Sequence, residues 1–338
     1  MSYLITGGCG FVGSNIAAHL IGRGEDVVVF DNLSRMGAAL NLDWLGALGR
    51  FTFIHGDIRN PFDVEAVVRR RPAAIFHLAG QVAMTASMQS PRRDFEINVG
   101  GSINLLEAVK QHVPEAIVVY ASSNKVYGDL PLDLEECALR YRPRNCPDGI
   151  DESAPLNFQT PYGCSKGAAD QYMLDYARGF GLNTVVFRHS TIYGGRQFAT
   201  YDQGWVGWFC RQALEIRRDP AREPFTISGD GKQVRDLLHV SDAIRCYLGA
   251  VEHIAGARGT AFNIGGGMPN SMSLLELFAH LEQRLGVKMT YRCLPWRPSD
   301  QKFFVANNAR ADKVLGWTPA MSKEAGIEDV LAWTESRT

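Results

Sequence analysis

The sequence has almost no net charge to offer a partner: across 338 residues, 35 lysines and arginines stand against 36 aspartates and glutamates, leaving a formal −1 at neutral pH. That balance removes the attraction on which a nucleic-acid or anionic-membrane binder relies. Also missing is any apolar run near the roughly 20 residues that a spanning helix needs. The N-terminal MSYLITGG has no basic region leading into an apolar core, so a soluble chain that is not exported is expected. The seven cysteines include no CxxC pair and no Cys/His metal spacing. An odd, scattered set of thiols suits a reducing compartment and argues against a disulfide framework or a metal site, so the cytoplasm is the expected location. No internal repeat or low-complexity tract occurs.

What is present is apolar content, 46% of the chain, enough to bury a full core and to form two lobes. Short apolar runs alternate with helical patterns through the first half. YLIT (3–6), DVVVFD (26–31), FTFIHGD (51–57), AIFHLAG (74–80), AIVVYASS (116–123) and NTVVFRHS (183–190) read as buried strands. Between them, segments such as NIAAHLIGRG, FDVEAVVRRR and INLLEAVKQH repeat their apolar residues at helical spacing. This alternation predicts an α/β fold, a parallel sheet with crossover helices. From about residue 191 the pattern breaks into shorter strands with more Pro and Gly, which predicts a second, smaller lobe over 191–338. The first lobe is expected over 1–190, joined by a segment returning near 235–260.

The first strand runs directly into TGGCGFVGSN, with Gly7, Gly10 and Gly13 in a G-x-x-G-x-x-G arrangement. Such glycines let the backbone turn tightly, approach a pyrophosphate and bring the next helix close to the sheet with its amides toward the phosphates. Asp31 ends the second strand, where a carboxylate accepts the two ribose hydroxyls of an adenosine and repels a 2′-phosphate, so NAD is favoured over NADP. Asp57, after the third strand, fits two readings, a contact to the adenine edge or a turn cap. The first lobe is therefore expected to be a Rossmann-type doubly wound dinucleotide fold.

SSNKVYGD (122–129) and PYGCSK (161–166) carry the candidate chemistry. Tyr162 and Lys166, four apart at the start of a predicted helix, project from one face a turn apart. A phenol titrates near about 10, too high for a base at neutral pH, but an adjacent ammonium favours the phenolate. Ser123, at the carboxyl end of a parallel strand, lies where open α/β sheets bind ligands. The three can take a proton from an alcohol as hydride leaves its carbon.

The motifs TGGCGFVGSN, FDNLSR, HGDIRN, FHLAGQ, EINVGGSINLLEA, SSNKVYG, PYGCSK and VRDLLHVSD follow one another in the order of the extended short-chain dehydrogenase/reductases that act on nucleotide sugars. The sequence resembles that family along essentially its whole length. Longer runs, HLAGQVAMTASM, TPYGCSKGAADQYMLDYARGFGLNTVVFRHS and YGGRQFATYDQGWVGWF, are similar to the branch that inverts C2 of CDP-linked 3,6-dideoxyhexoses. The resemblance implies NAD contacts at Gly7, Gly10, Phe11 and Val12, then Asp31, Asn32, Ser34 and Arg35, then Asp57 and Ile58. Further contacts fall on Leu78, Ala79, Gly80 and Gln81, on Asn98, and on Tyr162 and Lys166. For the substrate it implies Gln81, Asn124, His189, Arg196, Gln197, Arg235 and Arg297, with Arg235 and Arg297 on the diphosphate.

The activity implied is epimerisation through a transient 2-keto sugar, with Ser123, Tyr162 and Lys166 catalytic and a CDP-linked dideoxy sugar as the partner. Asn124 and Lys125 stand where the related dehydratases place an aspartate and a glutamate, which disfavours elimination of water. A 4-epimerase stays open, since the same three residues oxidise C4 if the sugar sits differently, and the long segment 130–158 can set that pose. An NAD(P)-dependent sugar reductase and a non-catalytic dinucleotide sensor are the other classes to separate. His189 is either a core histidine or a ligand contact, and Arg196 either a surface ion pair or a substrate contact. At least one of Trp205 and Trp208 is expected to pack in a core. The helices GSINLLEAVKQH and SKGAADQYMLDYARGF either form the bundle of a homo-oligomer or cover the sheet.

Overall fold

The computed structural model describes residues 1–297 and 299–337. Its centre is a sheet of seven parallel strands: β1 (Ser2–Thr6), β2 (Asp26–Asp31), β3 (Thr52–His55), β4 (Ala74–His77), β5 (Ile117–Ser123), β6 (Asn183–His189) and β7 (Thr260–Ile264). They lie side by side in the order β3-β2-β1-β4-β5-β6-β7. The strands are apolar at consecutive positions because both faces are covered. Ile5, Val29, Phe76, Val119 and Phe187 enter one core, while their neighbours Leu4, Val28, Ile75, Val118 and Val186 enter the other. The first six strands fall where the apolar runs predict. The runs overshoot at the ends of β3 and β4, where Gly56 and the segment 78–80 leave the sheet to line a cleft.

The order in which successive strands are added reverses between β1 and β4, the switch point at which open sheets of this kind bind ligands beyond their carboxyl ends. β7 and the helix before it, Val240–Glu252, complete this layer from far along the chain. Ala243, Ile244 and Tyr247 of that helix share a core with Ile16 and Leu20 of the helix Phe11–Gly22.

The rest of the second half folds around one strand, Val234–His239. It pairs in parallel with Thr191–Tyr193 and Phe303–Phe304 and antiparallel with Ser271–Ser273. The helices Trp205–Arg218, Leu274–Leu285 and Lys323–Glu335 close over a separate core that includes Phe209, Phe278, Leu281 and Val330. Leu274–Leu285 begins with a capping box, in which Ser273 accepts from the Glu276 amide and Glu276 accepts from the Ser273 amide. The cleft runs between this lobe and the ends of the parallel strands.

The long helix Thr160–Gly179 is fixed to the sheet by a buried ion pair. Arg188 of β6 donates from Nε and Nη2 to the two carboxylate oxygens of Asp170, each at 2.9 Å, with the side chains 5% and 0% exposed. The Ser122 hydroxyl of β5 donates to the same carboxylate at 2.7 Å. Removing one partner of such a pair leaves an uncompensated buried charge. Arg188→Met is therefore expected to lower the unfolding free energy by about 3–5 kcal/mol in denaturant titration. Arg188→Met combined with Asp170→Leu is expected to recover much of that loss.

Candidate active site

β1 opens into Gly7, whose φ of +68° lies in the left-handed region and where a Cβ would meet the Ala79 backbone nitrogen at 2.7 Å. Only a glycine lets this turn approach the end of β4 so closely. A Cβ on Gly13 would lie 2.3 Å from the Gly7 carbonyl oxygen, so the helix Phe11–Gly22 also packs at glycine distance. Gly10 caps that helix with no side-chain hydrogen bond, leaving its first amides to a ligand in the cleft. Asp31 lines the same cleft; its oxygens accept from the amides of Cys9 at 2.9 Å and Leu33 at 2.7 Å, and burial raises its pKa. The close-approach glycines, the uncapped helix end and a carboxylate at the end of β2 are a donor and acceptor set that fits a dinucleotide.

The cleft has a volume of about 760 Å³, in the range of small-molecule sites. Phe11, Val12, Asn32, Ser34, Arg35, Ile58, Leu78, Ala79, Gly80 and Gln81 line it beside the glycine turn and Asp31. Asp57 also lines it, but Arg59 and Asn32 take its carboxylate oxygens at 2.7–3.0 Å, and the Arg59 guanidinium holds its carboxyl well below the usual range. It also accepts from the Arg59 amide at 2.9 Å, as a turn cap does.

Asn98 differs from the reading that puts it on the cofactor, for it is buried and off the cleft wall. It sits in a five-residue π-turn, Glu96–Gly100, inside an otherwise continuous helix. The extra residue turns its amide to the backbone of Gln81, accepting at 2.9 Å and donating at 3.1 Å, and toward the Ser165 hydroxyl at 2.9 Å. Asn98 therefore joins the loop after β4 to the helix that carries Lys166.

Ser123, Tyr162 and Lys166 meet on the cleft wall. Pro161 lies in the first turn of the helix Thr160–Gly179, so Tyr162 and Lys166 leave it a turn apart. The Ser123 hydroxyl interacts with the Tyr162 phenol, accepts from the Lys125 amide at 3.2 Å and lies 3.4 Å from Asn124 Oδ1. The electrostatics differ from the expected ones. Tyr162 keeps part of its surface toward the cleft, yet desolvation pushes its phenol up to about 12, with the Ser123 bond pulling down and Asp94 pushing up. Lys166 does not offset this. Its ammonium donates to the Ala121 carbonyl and sits 4.5 Å over the Tyr120 ring, and burial draws its pKa down to about 8.

The substrate candidates separate by contact. Arg235 donates to Asp300 at 2.9 Å, and Arg297 stacks 4.8 Å over Tyr201 and donates to the Ser228 hydroxyl at 3.2 Å. Both line the cleft. Arg196, also on the wall, forms no ion pair among the described residues; its guanidinium lies 4.1 Å over Trp44. The loop that carries it ties the lobes together: Asn15 donates to the Gly195 carbonyl at 3.1 Å, and Phe198 fills the space at Gly37 that a Cβ would need. His189 faces the cleft and hydrogen-bonds to the Tyr247 hydroxyl at 2.9 Å; burial and the nearby Lys166 draw its pKa down to about 3, so the ring is neutral. Asn124 lines the cleft, but its amide donates to Gln301 at 2.9 Å. Gln81 likewise gives its amide to Asp94 at 3.0 Å and to the Ala83 carbonyl at 2.7 Å.

Trp205 and Trp208 both pack against the second core and both border the cleft. The Trp205 indole donates to Thr191 at 3.1 Å. The Trp208 indole N–H, the Gln197 carbonyl oxygen and the Gln233 carbonyl oxygen are buried without a hydrogen-bond partner among the described residues, and all three residues border the cleft. Sequence reading missed Asp94, Ser165, Asp170, Gln233 and the polar use of Trp208. Asp170, one turn past Lys166, has a periodic signal; the others have none.

The described residues hold no cluster of metal-ligating side chains and no helix long and apolar enough to cross a membrane. The seven cysteines are unpaired.

Two titrations follow from this geometry. In NAD-free protein the Tyr162 phenol is expected to stay protonated through neutral pH and to ionise only near 12, checked by the ultraviolet difference between wild type and Tyr162→Phe. Lys166 is a cation below about 8 and neutral above. A reaction that needs its charge is expected to fall as pH rises through that value, seen as the alkaline limb of a pH–rate profile.

Comparison with known proteins agrees with the fold. The family model for the NAD dependent epimerase/dehydratase family matches residues 3–265. The chain is 56% identical to CDP-paratose 2-epimerase of Salmonella typhi over 338 residues, 99% of this chain and 100% of that one. A putative UDP-glucose 4-epimerase of Methanocaldococcus jannaschii is 29% identical, with 98% of each chain covered. Among solved structures, UDP-glucuronic acid 4-epimerase from Bacillus cereus, in complex with UDP-glucuronic acid and NAD, superposes with a TM-score of 0.85 at 26% identity over 100% of both chains. The family match runs from β1 to the end of β7, across the whole parallel sheet and every strand end that borders the cleft, and the chain belongs to the NAD-dependent epimerase/dehydratase family.

Proposed function

We propose that this chain is an NAD-dependent isomerase that inverts C2 of a CDP-linked 3,6-dideoxyhexose, interconverting CDP-paratose and CDP-tyvelose. The observation that carries the reading is the 56% identity, over 99% of the chain, to a CDP-paratose 2-epimerase. The 4-epimerase reading rests on relatives at 29%. We further infer a homo-oligomer built on the helices Gly101–His112 and Thr160–Gly179, the second of which exposes Tyr172 and is followed by exposed Phe180.

The chemistry suits the residues. C2 of a sugar whose anomeric carbon bears a phosphate has no neighbouring carbonyl, so its hydrogen is too weakly acidic for direct removal, and oxidation is the way round. When bound, NAD takes up hydride and returns it, and its oxidised ring brings a positive charge that favours phenolate. Tyr162 accepts the C2 hydroxyl proton as the 2-keto sugar forms and gives it back after the ring has turned over. Ser123 holds the reacting oxygen. Lys166, whose ammonium is turned to the Ala121 carbonyl in the NAD-free protein, would bind the nicotinamide ribose and, drawn toward the cofactor, support the phenolate. Gly7, Gly10 and Asp31 would hold the dinucleotide. Turnover of the sugar demands a loose grip on the ring and a firm one on the nucleotide, the task of Arg235 and Arg297.

Incubation with CDP-paratose in deuterated water is expected to give CDP-tyvelose that keeps its C2 hydrogen, read by NMR, with no net absorbance change at about 340 nm. Solvent deuterium at C2, or cofactor consumed in step with product, refutes internal hydride return. Tyr162→Phe is expected to abolish turnover while CDP-sugar still binds. Asp31→Ala is expected to lower the NAD that copurifies with the protein, measured by absorbance after release.

A further inference from the structure

Lys125 is a cation for which the mechanism above has no task. Its amide donates to the Ser123 hydroxyl at 3.2 Å, so it is tied to a catalytic residue. Its side chain crosses to the other lobe. There the ammonium donates to the Ser299 carbonyl at 3.0 Å and lies 3.8 Å from Asp300 Oδ1, the oxygen that also receives Arg235 at 2.9 Å. The ammonium has no other hydrogen-bond acceptor among the described residues. Lys125, Arg235 and Arg297 all border the cleft. Burial, then Arg235, draws the ammonium's pKa down to about 8, with Asp300 and Asp129 pushing the other way and Arg297 adding a smaller downward pull. Like charges repel in a medium that solvates them poorly. Among the described residues, Asp300 is the one carboxylate within ion-pair distance of both Lys125 and Arg235, Arg297 pairs only with Asp202, at 4.0 Å, and Asp129 and Asp236 act on Lys125 and Arg235 from farther off. Three cationic donors thus converge on one stretch of the cleft wall with a single carboxylate oxygen shared between two of them, an arrangement that suits an anion with several acceptor oxygens.

The position of that charge along the chain matters for which carbon reacts. In a nucleotide sugar the phosphorus is three bonds from C2, through C1 and the glycosidic oxygen, and five from C4. A phosphate-binding cation two residues from the serine that holds the reacting oxygen therefore suits a carbon next to the anomeric centre. We propose that Lys125 is a third cation of the diphosphate clamp and a specificity-determining residue, joining the phosphate to Ser123 at a span that presents C2 to Tyr162. This rests on the reading of the substrate as a nucleoside-diphosphate sugar. The other task its contacts allow, pinning the segment that holds Ser299 and Asp300, needs no phosphate.

The test uses the NAD-loaded enzyme and calorimetric binding of CDP and of cytidine. Lys125→Met is expected to weaken CDP about ten- to a hundred-fold, the loss of a charge-assisted hydrogen bond, and to leave cytidine within about twofold. Lys125→Arg, which keeps the charge, is expected to retain most of the CDP affinity. Equal losses for CDP and cytidine, or an unchanged CDP affinity, overturn the clamp in favour of a pin. At saturating CDP-paratose, kcat of Lys125→Met is expected to fall at least about tenfold, because the carbon is no longer held at its span; an unchanged kcat overturns the specificity role. If Lys125→Met does not fold, the same measurements are made on Lys125→Gln. Should the wild type bind another nucleoside diphosphate but not CDP, with the same dependence on Lys125, the clamp stands and the cytidine assignment falls.

Discussion

The salt bridge between Asp170 and Arg188 is the constraint on which the reacting geometry depends. Asp170 lies one helical turn past Lys166 on the buried face of its helix, and Ser122, which donates to it, immediately precedes Ser123 on β5. One carboxylate thus sets the helix that carries the phenol and ammonium against the strand end that carries the hydroxyl. Arg188 extends the connection: its remaining nitrogen donates to the Tyr127 hydroxyl at 3.0 Å, and that hydroxyl donates to Asn263 of β7 at 2.7 Å. Two charges out of water are tolerable here because the pair is bidentate and further donors satisfy the carboxylate. A single well-packed apolar contact could not fix direction in the same way, since dispersion has little angular preference.

Burial works against both charges that the chemistry needs. It raises the Tyr162 phenol and lowers the Lys166 ammonium, bringing the lysine close to neutral at mildly alkaline pH. The same low dielectric strengthens any charge that arrives, so a small number of ligand charges suffices to move the proton. The network behind the wall keeps these groups in place. Asp94 accepts from Ser165 and Gln81, Asn98 bonds Gln81 and Ser165, and the loop after β4 is thereby registered to the helix of Lys166. Asn98 itself stays off the cleft wall and acts on it through Gln81 and Ser165.

The two lobes divide the work by the kind of contact they offer. The first presents glycine backbone and an uncapped helix end, which suit a dinucleotide held in one pose. The second presents guanidinium groups on aromatic rings and carboxylates, and buried polar atoms of Trp208, Gln197 and Gln233 that still lack partners among the described residues. Between them, the loop around Phe198 and the side chains of Asn124 and Lys125 connect lobe to lobe at the cleft itself. A contact with the second lobe therefore lies two residues from Ser123 along the chain.

Local pattern determined much of this protein. The consecutive apolar residues of the strands, the glycine turn, Asp31 at the end of β2 and the four-residue spacing of Tyr162 and Lys166 are all short-range features, set by strand and helix periodicity and by backbone sterics. The boundaries of β3 and β4 and the role of Asn98 were not legible in that way, because a strand's end is decided by where the chain turns to build the cleft, and a π-turn leaves no periodic trace. The direction of the Tyr162 shift was misread for a related reason: neighbours along the helix suggest an ammonium beside the phenol, whereas burial and the Ala121 carbonyl decide where the ammonium goes. Asn124 and Lys125 meet Gln301 and Ser299 from more than 170 residues away. Sequence alone determined which residue types stand at each strand end and turn; only the tertiary structure decided which charges share a wall, because desolvation and Coulomb energy depend on separation in space and not along the chain.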